Sequence, residues 1–85
     1  MTACYINGKY KTLSQSSISV TDRGFQFSDG VYEVIAIYNN KFVDEILHLN
    51  RLRTSLNKLN IKIKLSIKQI QNISHKIKKL NKISN

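Results

Sequence analysis

Short apolar runs separated by turn residues fill the first part of the chain. Asn7-Gly8 separates the runs Ala3–Ile6 and Lys9–Thr12. Asn and Gly both tolerate the positive φ of a two-residue turn, so this pair is a strong hairpin signal. A third short apolar run covers Ile18, Ser19 and Val20. The pattern predicts a first antiparallel hairpin and a further short strand after it.

Residues 31–38 are the most β-like segment, because they are rich in β-branched and aromatic residues. Side chains alternate between two faces of a strand. One face carries Val31, Glu33, Ile35 and Ile37, and the other carries Tyr32, Val34, Ala36 and Tyr38. Both faces are largely apolar, which predicts a central strand covered on both sides. Asn39-Asn40 then predicts a turn into residues 41–43 and a second hairpin.

After Asp44 the apolar residues repeat every three or four positions, which indicates helices. The first stripe predicts a helix over residues 46–60, and Ser66 is a suitable N-cap for a second helix ending near Leu80. Residues 61–65 between them fit a short strand or an extended link. Strands followed by helices predict an α+β fold, an antiparallel sheet covered by two helices. The stripes are Ile46, Leu49, Leu52, Leu56 and Leu59, then Ile67, Ile70, Ile73, Ile77 and Leu80.

The length of 85 residues allows one small domain. Four or five strands and two amphipathic helices carry more apolar surface than they can bury on each other, and the sheet has unpaired edges. We therefore expect residues 1–85 to be part of a larger domain. The single cysteine, Cys4, forms no intrachain disulfide, and no Cys/His spacing predicts a metal site. Neither a secretory signal nor a membrane span is recognisable, so we expect a cytoplasmic protein without a membrane partner.

The net charge of +9 is concentrated in the second half. Residues 1–42 carry four basic and three acidic side chains and residues 43–85 carry ten and two, so the halves have net charges of +1 and +8. Such a surface could bind nucleic acid. However, the same half is rich in Ile and Asn, as AT-rich coding sequences produce, and no aromatic residue lies among its lysines to stack on bases. We expect no nucleic-acid partner; a salt-dependent DNA affinity would identify that alternative.

Residues 22–30 form an unusual segment directly before the β-like run. Two acids, an arginine, two glycines and two phenylalanines lie within nine residues. A tight turn explains this composition, and so does a functional loop that leads into a strand. The residues alone leave both explanations open.

The segment from Asp22 to Val34 closely resembles the signature Asp-Arg-Gly-(Phe/Tyr)-x-Phe-Gly-Asp-Gly-Val-Tyr-Glu-Val of D-amino-acid aminotransferases. These belong to the fold-type IV (class IV) pyridoxal-phosphate enzymes. Ser28 replaces the usual glycine, which predicts a cost of about 1 kcal/mol if that position needs positive φ. The resemblance covers about the first third of a family member, so it implies a partial N-terminal (small) domain without the C-terminal catalytic domain. Flanking pieces agree in order: Tyr5-Ile6-Asn7-Gly8, Val43-Asp44-Glu45 and His48-Leu49-Asn50-Arg51-Leu52.

The resemblance implies two site residues. Arg51 matches the arginine that binds the phosphate of pyridoxal phosphate, and Tyr32 matches a strand tyrosine that helps hold the substrate carboxylate. We expect Arg51 to point towards the face that carries Tyr32. His48 has a packing or interface role as readily as a site role. The loop residues Asp22, Arg23 and Asp29 are assigned to shaping the loop.

The resemblance also implies that the catalytic groups lie elsewhere. The family lysine that binds the cofactor covalently, the glutamate at the pyridine nitrogen and a substrate-binding Arg/His loop have no counterpart here. Lysines such as Lys58, Lys62, Lys68 and Lys76 lie on or beside amphipathic helices and cannot replace the missing one. No catalytic residue is assigned, and we expect no transaminase activity and no stable cofactor binding by this chain alone.

Alternatives remain at this stage. The parent enzyme is a D-amino-acid aminotransferase or another class IV member, such as a branched-chain aminotransferase or an aminodeoxychorismate lyase; the Asp-Gly-Val-Tyr-Glu spelling favours the first. A complementing C-terminal chain would restore activity. A non-enzymatic remnant would instead act as a dimerisation partner, in a homodimer or with a full-length relative.

Overall fold

The computed structural model describes residues 2–27 and 30–84, with Phe25 and Phe27 described by their backbone alone. Its elements confirm the α+β class, with small antiparallel sheets followed by two long helices. Ser28 and Asp29 lie outside the described residues, so the cost predicted for the serine stays a prediction. The elements are β1 (Ala3–Ile6), β2 (Lys9–Thr12), a 3₁₀ turn (Leu13–Gln15), α1 (Arg23–Phe27), β3 (Ile37–Tyr38), β4 (Lys41–Phe42), α2 (Glu45–Lys58) and α3 (Ile67–Leu80).

Both predicted hairpins are present. Strands β1 and β2 pair antiparallel around Asn7 and Gly8, whose φ angles are 49° and 83°. Strands β3 and β4 pair around Asn39 and Asn40, with φ angles of 50° and 64°. Positive φ at both central residues is what a type I′ turn requires, and Asn and Gly adopt it with little strain. These two turns were predictable because their chemistry is local.

The prediction for residues 31–38 is only partly correct. Only Ile37–Tyr38 forms a strand, extended by a hydrogen bond from the Val43 N–H to the Ala36 carbonyl (2.9 Å). The side chains do alternate, but only the face with Glu33 is half-buried. Tyr32 is 85% exposed, so the expected cover on both sides is wrong for the described residues. The reason is that α3 packs against one face and no second layer lies on the other within the part of the chain that the structure describes.

Three local predictions also need correction. Residues 23–27 form the five-residue helix α1 instead of a turn or an open loop, with the Gln26 N–H bonded to the Asp22 carbonyl (3.0 Å). Residues 18–20 form no strand, and Ile18 and Val20 are exposed. Residues 61–65 are a link without strand pairing. A short apolar run becomes a strand only where a partner edge is available, and none is available here among the described residues.

Both long helices lie where their stripes predicted. Helix α2 buries Leu49 and Leu56, which are 3% and 9% exposed and form the core of the described residues. Helix α3 starts at a capping box in which the Ser66 hydroxyl accepts from the Gln69 N–H (3.1 Å) and the Gln69 side chain accepts from the Ser66 N–H (2.7 Å). This reciprocal cap satisfies two donors that a helix start leaves unpaired.

Side-chain hydrogen bonds fasten α3 to its neighbours. Glu45 at the start of α2 lies 2.7 Å from the His75 ring nitrogen and accepts from the Gln71 amide at 3.0 Å. At the other end, Asn81 bonds both main-chain groups of Ala3 in β1. Helix α3 therefore links the first hairpin to α2. No helix among the described residues is long and apolar enough to cross a membrane.

Candidate functional site

Arg51 and Glu33 form the best-defined polar pair outside the helix caps. The Nε of Arg51 donates to Glu33 Oε2 and the Nη2 donates to Glu33 Oε1, both at 2.8 Å. Two parallel bonds between a guanidinium and a carboxylate fix the relative orientation of the two groups as well as their distance. The pair thus joins the exposed side of α2 to the β-like segment, 18 residues earlier in the chain.

His48 completes a three-residue cluster. Its Nδ1 lies 2.7 Å from Glu33 Oε1 and 3.4 Å from Arg51 Nη2. His48 and Arg51 are three residues apart on α2, a spacing that places two side chains on the same face of a helix. The cluster therefore follows from one helical turn of α2 facing a single carboxylate.

Burial differs across the cluster. The Glu33 side chain is 10% exposed, His48 is 22% exposed and Arg51 is 67% exposed. The carboxylate lies inside, and the guanidinium extends from it to the surface. Among the described residues, the Nη1 of Arg51 makes no hydrogen bond, so the outer edge of the guanidinium is accessible to a ligand.

The charges in the cluster are strongly coupled. The Arg51 hydrogen bonds, and next the His48 hydrogen bond, lower the pKa of Glu33 from 4.5 to about 2. The same carboxylate raises the pKa of Arg51 above its ordinary value. Glu33 is therefore ionised at neutral pH and offsets the charge of Arg51, so an anion at the outer edge meets a cluster of low net charge.

Tyr32 lies away from this cluster. It neighbours Glu33 in sequence, and adjacent side chains of an extended segment point to opposite faces. The exposure agrees, because Tyr32 is 85% exposed whereas Glu33 is half-buried. The expectation that Arg51 points towards the face of Tyr32 is wrong: Arg51 bonds to the opposite face. The two predicted site residues are separated by the thickness of residues 31–38.

Glu33 is the residue that the sequence reasoning missed. A carboxylate flanked by Val31, Ile35 and Ile37 on an apolar face is a signal, because a charge placed there needs a partner. The partner signal is a histidine and an arginine three positions apart on the following helix. Together these patterns indicate an acid bound by a His-x-x-Arg pair, although they do not give the register between the two elements.

The donor set fits a phosphate group as far as one residue can. Guanidinium edges match phosphate oxygens, and Glu33 holds the Nε edge of Arg51 so that the other edge has a fixed direction. The lysines offer no comparable site: all the described lysines except Lys78 are exposed, and Lys78 Nζ donates to Asn40 Oδ1. Within residues 2–27 and 30–84 no group of three or more His, Cys, Asp or Glu side chains is placed to hold a metal ion.

Comparison with known proteins gives one consistent family. The model of the class IV amino-transferases matches residues 30–85. The D-alanine aminotransferase of Staphylococcus aureus (strain N315) is 31% identical over 83 residues, which is 98% of this chain and 29% of the relative. The D-alanine aminotransferase of Listeria monocytogenes serotype 1/2a (strain 10403S) is 33% identical over 79 residues, 93% of this chain and 27% of the relative. The chain thus spans less than a third of the length of these curated relatives.

Proposed function

Because this chain belongs to the class IV aminotransferase family, we propose that it is the N-terminal portion of an enzyme that transfers amino groups between D-amino acids and 2-oxo acids. The similarity to two D-alanine aminotransferases along nearly the whole chain carries this proposal. In it, residues 1–85 are a partial small domain, and the catalytic domain is supplied by the rest of the enzyme, as a complementing chain. A homodimer of this chain is the alternative assembly. The proposed compartment is the cytoplasm, where the free thiol of Cys4 is stable.

Pyridoxal phosphate is the cofactor of the proposal. When bound, it supplies an electron sink for the charge that develops when the α-proton of the substrate is removed. Arg51 would bind a phosphate oxygen through the guanidinium edge that Glu33 leaves accessible. Glu33 and His48 orient the arginine and do not touch the ligand. Binding by one arginine, half neutralised by Glu33, is too weak to retain the cofactor, so this chain alone does not hold it stably.

Tyr32 has a separate role in the proposal. Its exposed hydroxyl lies on the opposite face from Arg51, and we assign it to the carboxylate of the substrate. A hydroxyl hydrogen bond to a carboxylate favours that anion over a neutral group. The exposure of this face supports the role, since a pocket wall completed by another domain stays open in the isolated portion. Phosphate and substrate would thus be held from the two faces of one segment.

The Arg51 assignment is tested by expressing this chain together with the portion of the Staphylococcus aureus relative that it does not cover. Arg51→Lys keeps the charge but loses the planar fork. We expect cofactor affinity to fall by about tenfold or more, the equivalent of roughly 1.4 kcal/mol. Arg53→Lys is the matched control, because residues two apart do not share a helix face. Equal affinities in the two variants would contradict the assignment.

Tyr32 is tested in the same complex. Tyr32→Phe removes only the hydroxyl, so we expect KM for D-alanine to rise by about tenfold while cofactor affinity is unchanged. Tyr38→Phe is the control, because Tyr38 is exposed on the same face at 64%. A rise in KM of the same size in both variants would remove Tyr32 from the substrate site.

A further inference from the structure

One edge of β1 is occupied by a side chain in the way that a neighbouring strand would occupy it. Asn81 Oδ1 accepts from the Ala3 N–H at 2.7 Å, and Asn81 Nδ2 donates to the Ala3 carbonyl at 2.8 Å. A strand satisfies both main-chain groups of a residue with the same two kinds of bond. The single amide of Asn81 reaches only Ala3.

The next outward-facing residue of β1 is Tyr5. The Leu13 N–H bonds to the Thr2 carbonyl at 2.8 Å, so the main chain of Thr2 faces β2 and that of Ala3 faces away. Main-chain direction alternates along an antiparallel pair, so that of Tyr5 also faces away. Neither its N–H nor its carbonyl has a hydrogen-bond partner among the described residues. This edge of β1 is therefore available for pairing from Tyr5 onwards.

A second unpaired edge faces the same space. The Val43 N–H bonds to Ala36, so the main chain of Ile35 and Ile37 points away from β4. No described residue bonds to that side. A cavity of about 410 Å³ lies between these residues and β1. Its walls combine both edges with one side of α3, through Ala3, Tyr5, Ile35, Ile37, Ile73 and Ile77.

Such a groove is suited to an added strand. Half-buried main-chain groups without partners are unfavourable, and a strand can satisfy two facing edges at once. The isoleucines on the wall supply an apolar floor for alternate side chains of that strand. We propose that this strand-edge groove, formed by the outward edges of β1 and residues 31–37, binds one extended apolar strand of the complementing polypeptide.

The occupant follows from length and charge, and it rests on the proposed function. The chain covers 29% of the Staphylococcus aureus relative, so most of that relative's length has no counterpart here and is the source of the strand. A second copy of this chain is disfavoured, because two chains of charge +9 repel each other. The groove therefore serves as the seam between the two portions of the enzyme.

The test measures backbone protection in the co-expressed complex with the uncovered portion of the Staphylococcus aureus relative. Hydrogen exchange at the amides of Tyr5 and Ile35 should slow by about tenfold or more on complex formation, because each gains a hydrogen bond. Failure to obtain a complex, or a complex in which both amides exchange as fast as in the free chain, would overturn the proposal.

Proline variants locate the edge. Tyr5→Pro removes an N–H that faces the groove and leaves the pairs with β2 intact. We expect it to weaken the complex by about tenfold, the value of one hydrogen bond near 1.4 kcal/mol. Tyr10→Pro is the matched control: Tyr10 pairs with Tyr5 and stacks on it at 4.9 Å, but its own N–H faces the far edge of β2. Equal weakening by both variants would contradict the groove.

Two further readouts separate the possible outcomes. If Tyr5→Pro unfolds the hairpin, Ile35→Pro tests the same groove from its other edge, and unchanged binding there overturns the proposal. A complex with protected amides that does not transaminate D-alanine contradicts the proposed function but supports the groove. A complex that turns over D-alanine without protection at Tyr5 and Ile35 supports the function and overturns the groove.

Discussion

The guanidinium of Arg51 holds the carboxylate of Glu33 side-on, with both hydrogen bonds 2.8 Å long. The carboxylate lies inside the fold, whereas the arginine extends from it to the surface. One acidic residue on the β-like segment therefore fixes both the position of α2 and the direction of the arginine proposed to bind phosphate. Stability and ligand binding meet at this pair.

Glu33→Gln should lower stability in a pH-dependent way. The folded-state pKa of Glu33 is lowered from 4.5 to about 2, so the carboxylate contributes stability that is fully present above about pH 4.5. This contribution is lost as pH falls through about 2. The urea midpoints of the two proteins should differ at neutral pH and converge as the pH is lowered between these values.

The control for this prediction is Asp44→Asn, which also removes one negative charge but does not touch Arg51. Its effect on the midpoint should be smaller than that of Glu33→Gln at neutral pH. A difference between wild type and Glu33→Gln that is constant from neutral to acid pH would contradict the coupling of Glu33 with Arg51 and His48.

Asn81→Ala should destabilise the contact between α3 and the first hairpin. The variant loses the two bonds to Ala3 and a third to the Ile77 carbonyl (3.0 Å), which together cost about 1–3 kcal/mol. Asn72→Ala, on the exposed side of the same helix, should change the free energy of unfolding by less than about 0.5 kcal/mol. Chemical denaturation followed by circular dichroism measures both, and similar losses would remove Asn81 from this role.

Leu49→Ala should unfold most of the population near room temperature. Leu49 is 3% exposed in a core with only Leu56 as a second buried member among the described residues. Truncating a buried leucine costs about 2–5 kcal/mol, which is comparable with the whole stability of a marginal domain of this size. Leu47→Ala is the control, because Leu47 is 69% exposed. Thermal melts of equal midpoint for the two variants would contradict the core assigned here.

Local chemistry explains which elements the sequence could predict. The turns at Asn7-Gly8 and Asn39-Asn40, the cap at Ser66 and the helical stripes are encoded within a few residues, and the structure confirms all of them. Residues 31–38 were misjudged because strand pairing depends on partners distant in sequence. Their apolar outer face, with Tyr32, Val34 and Tyr38, predicted a cover that the described residues do not supply.

The candidate site was half predictable. The family motif identified Arg51 and Tyr32, but their relative position depends on the register between α2 and the β-like segment. That register is set by Glu33, which contacts His48 and Arg51 across 15 and 18 residues. An acid on an apolar face opposite a His-x-x-Arg pair is a pattern that can be searched for in other chains.

The central claim is that this chain is one portion of a transaminase and cannot act alone. The most direct measurement incubates the purified chain with pyridoxal phosphate and D-alanine, reduces the mixture with borohydride and maps the labelled peptides. The account predicts light labelling spread over several exposed lysines and no turnover, because transamination needs a lysine held within about 3 Å of its target by a rigid site. A single stoichiometrically labelled lysine, together with turnover of D-alanine, would contradict it.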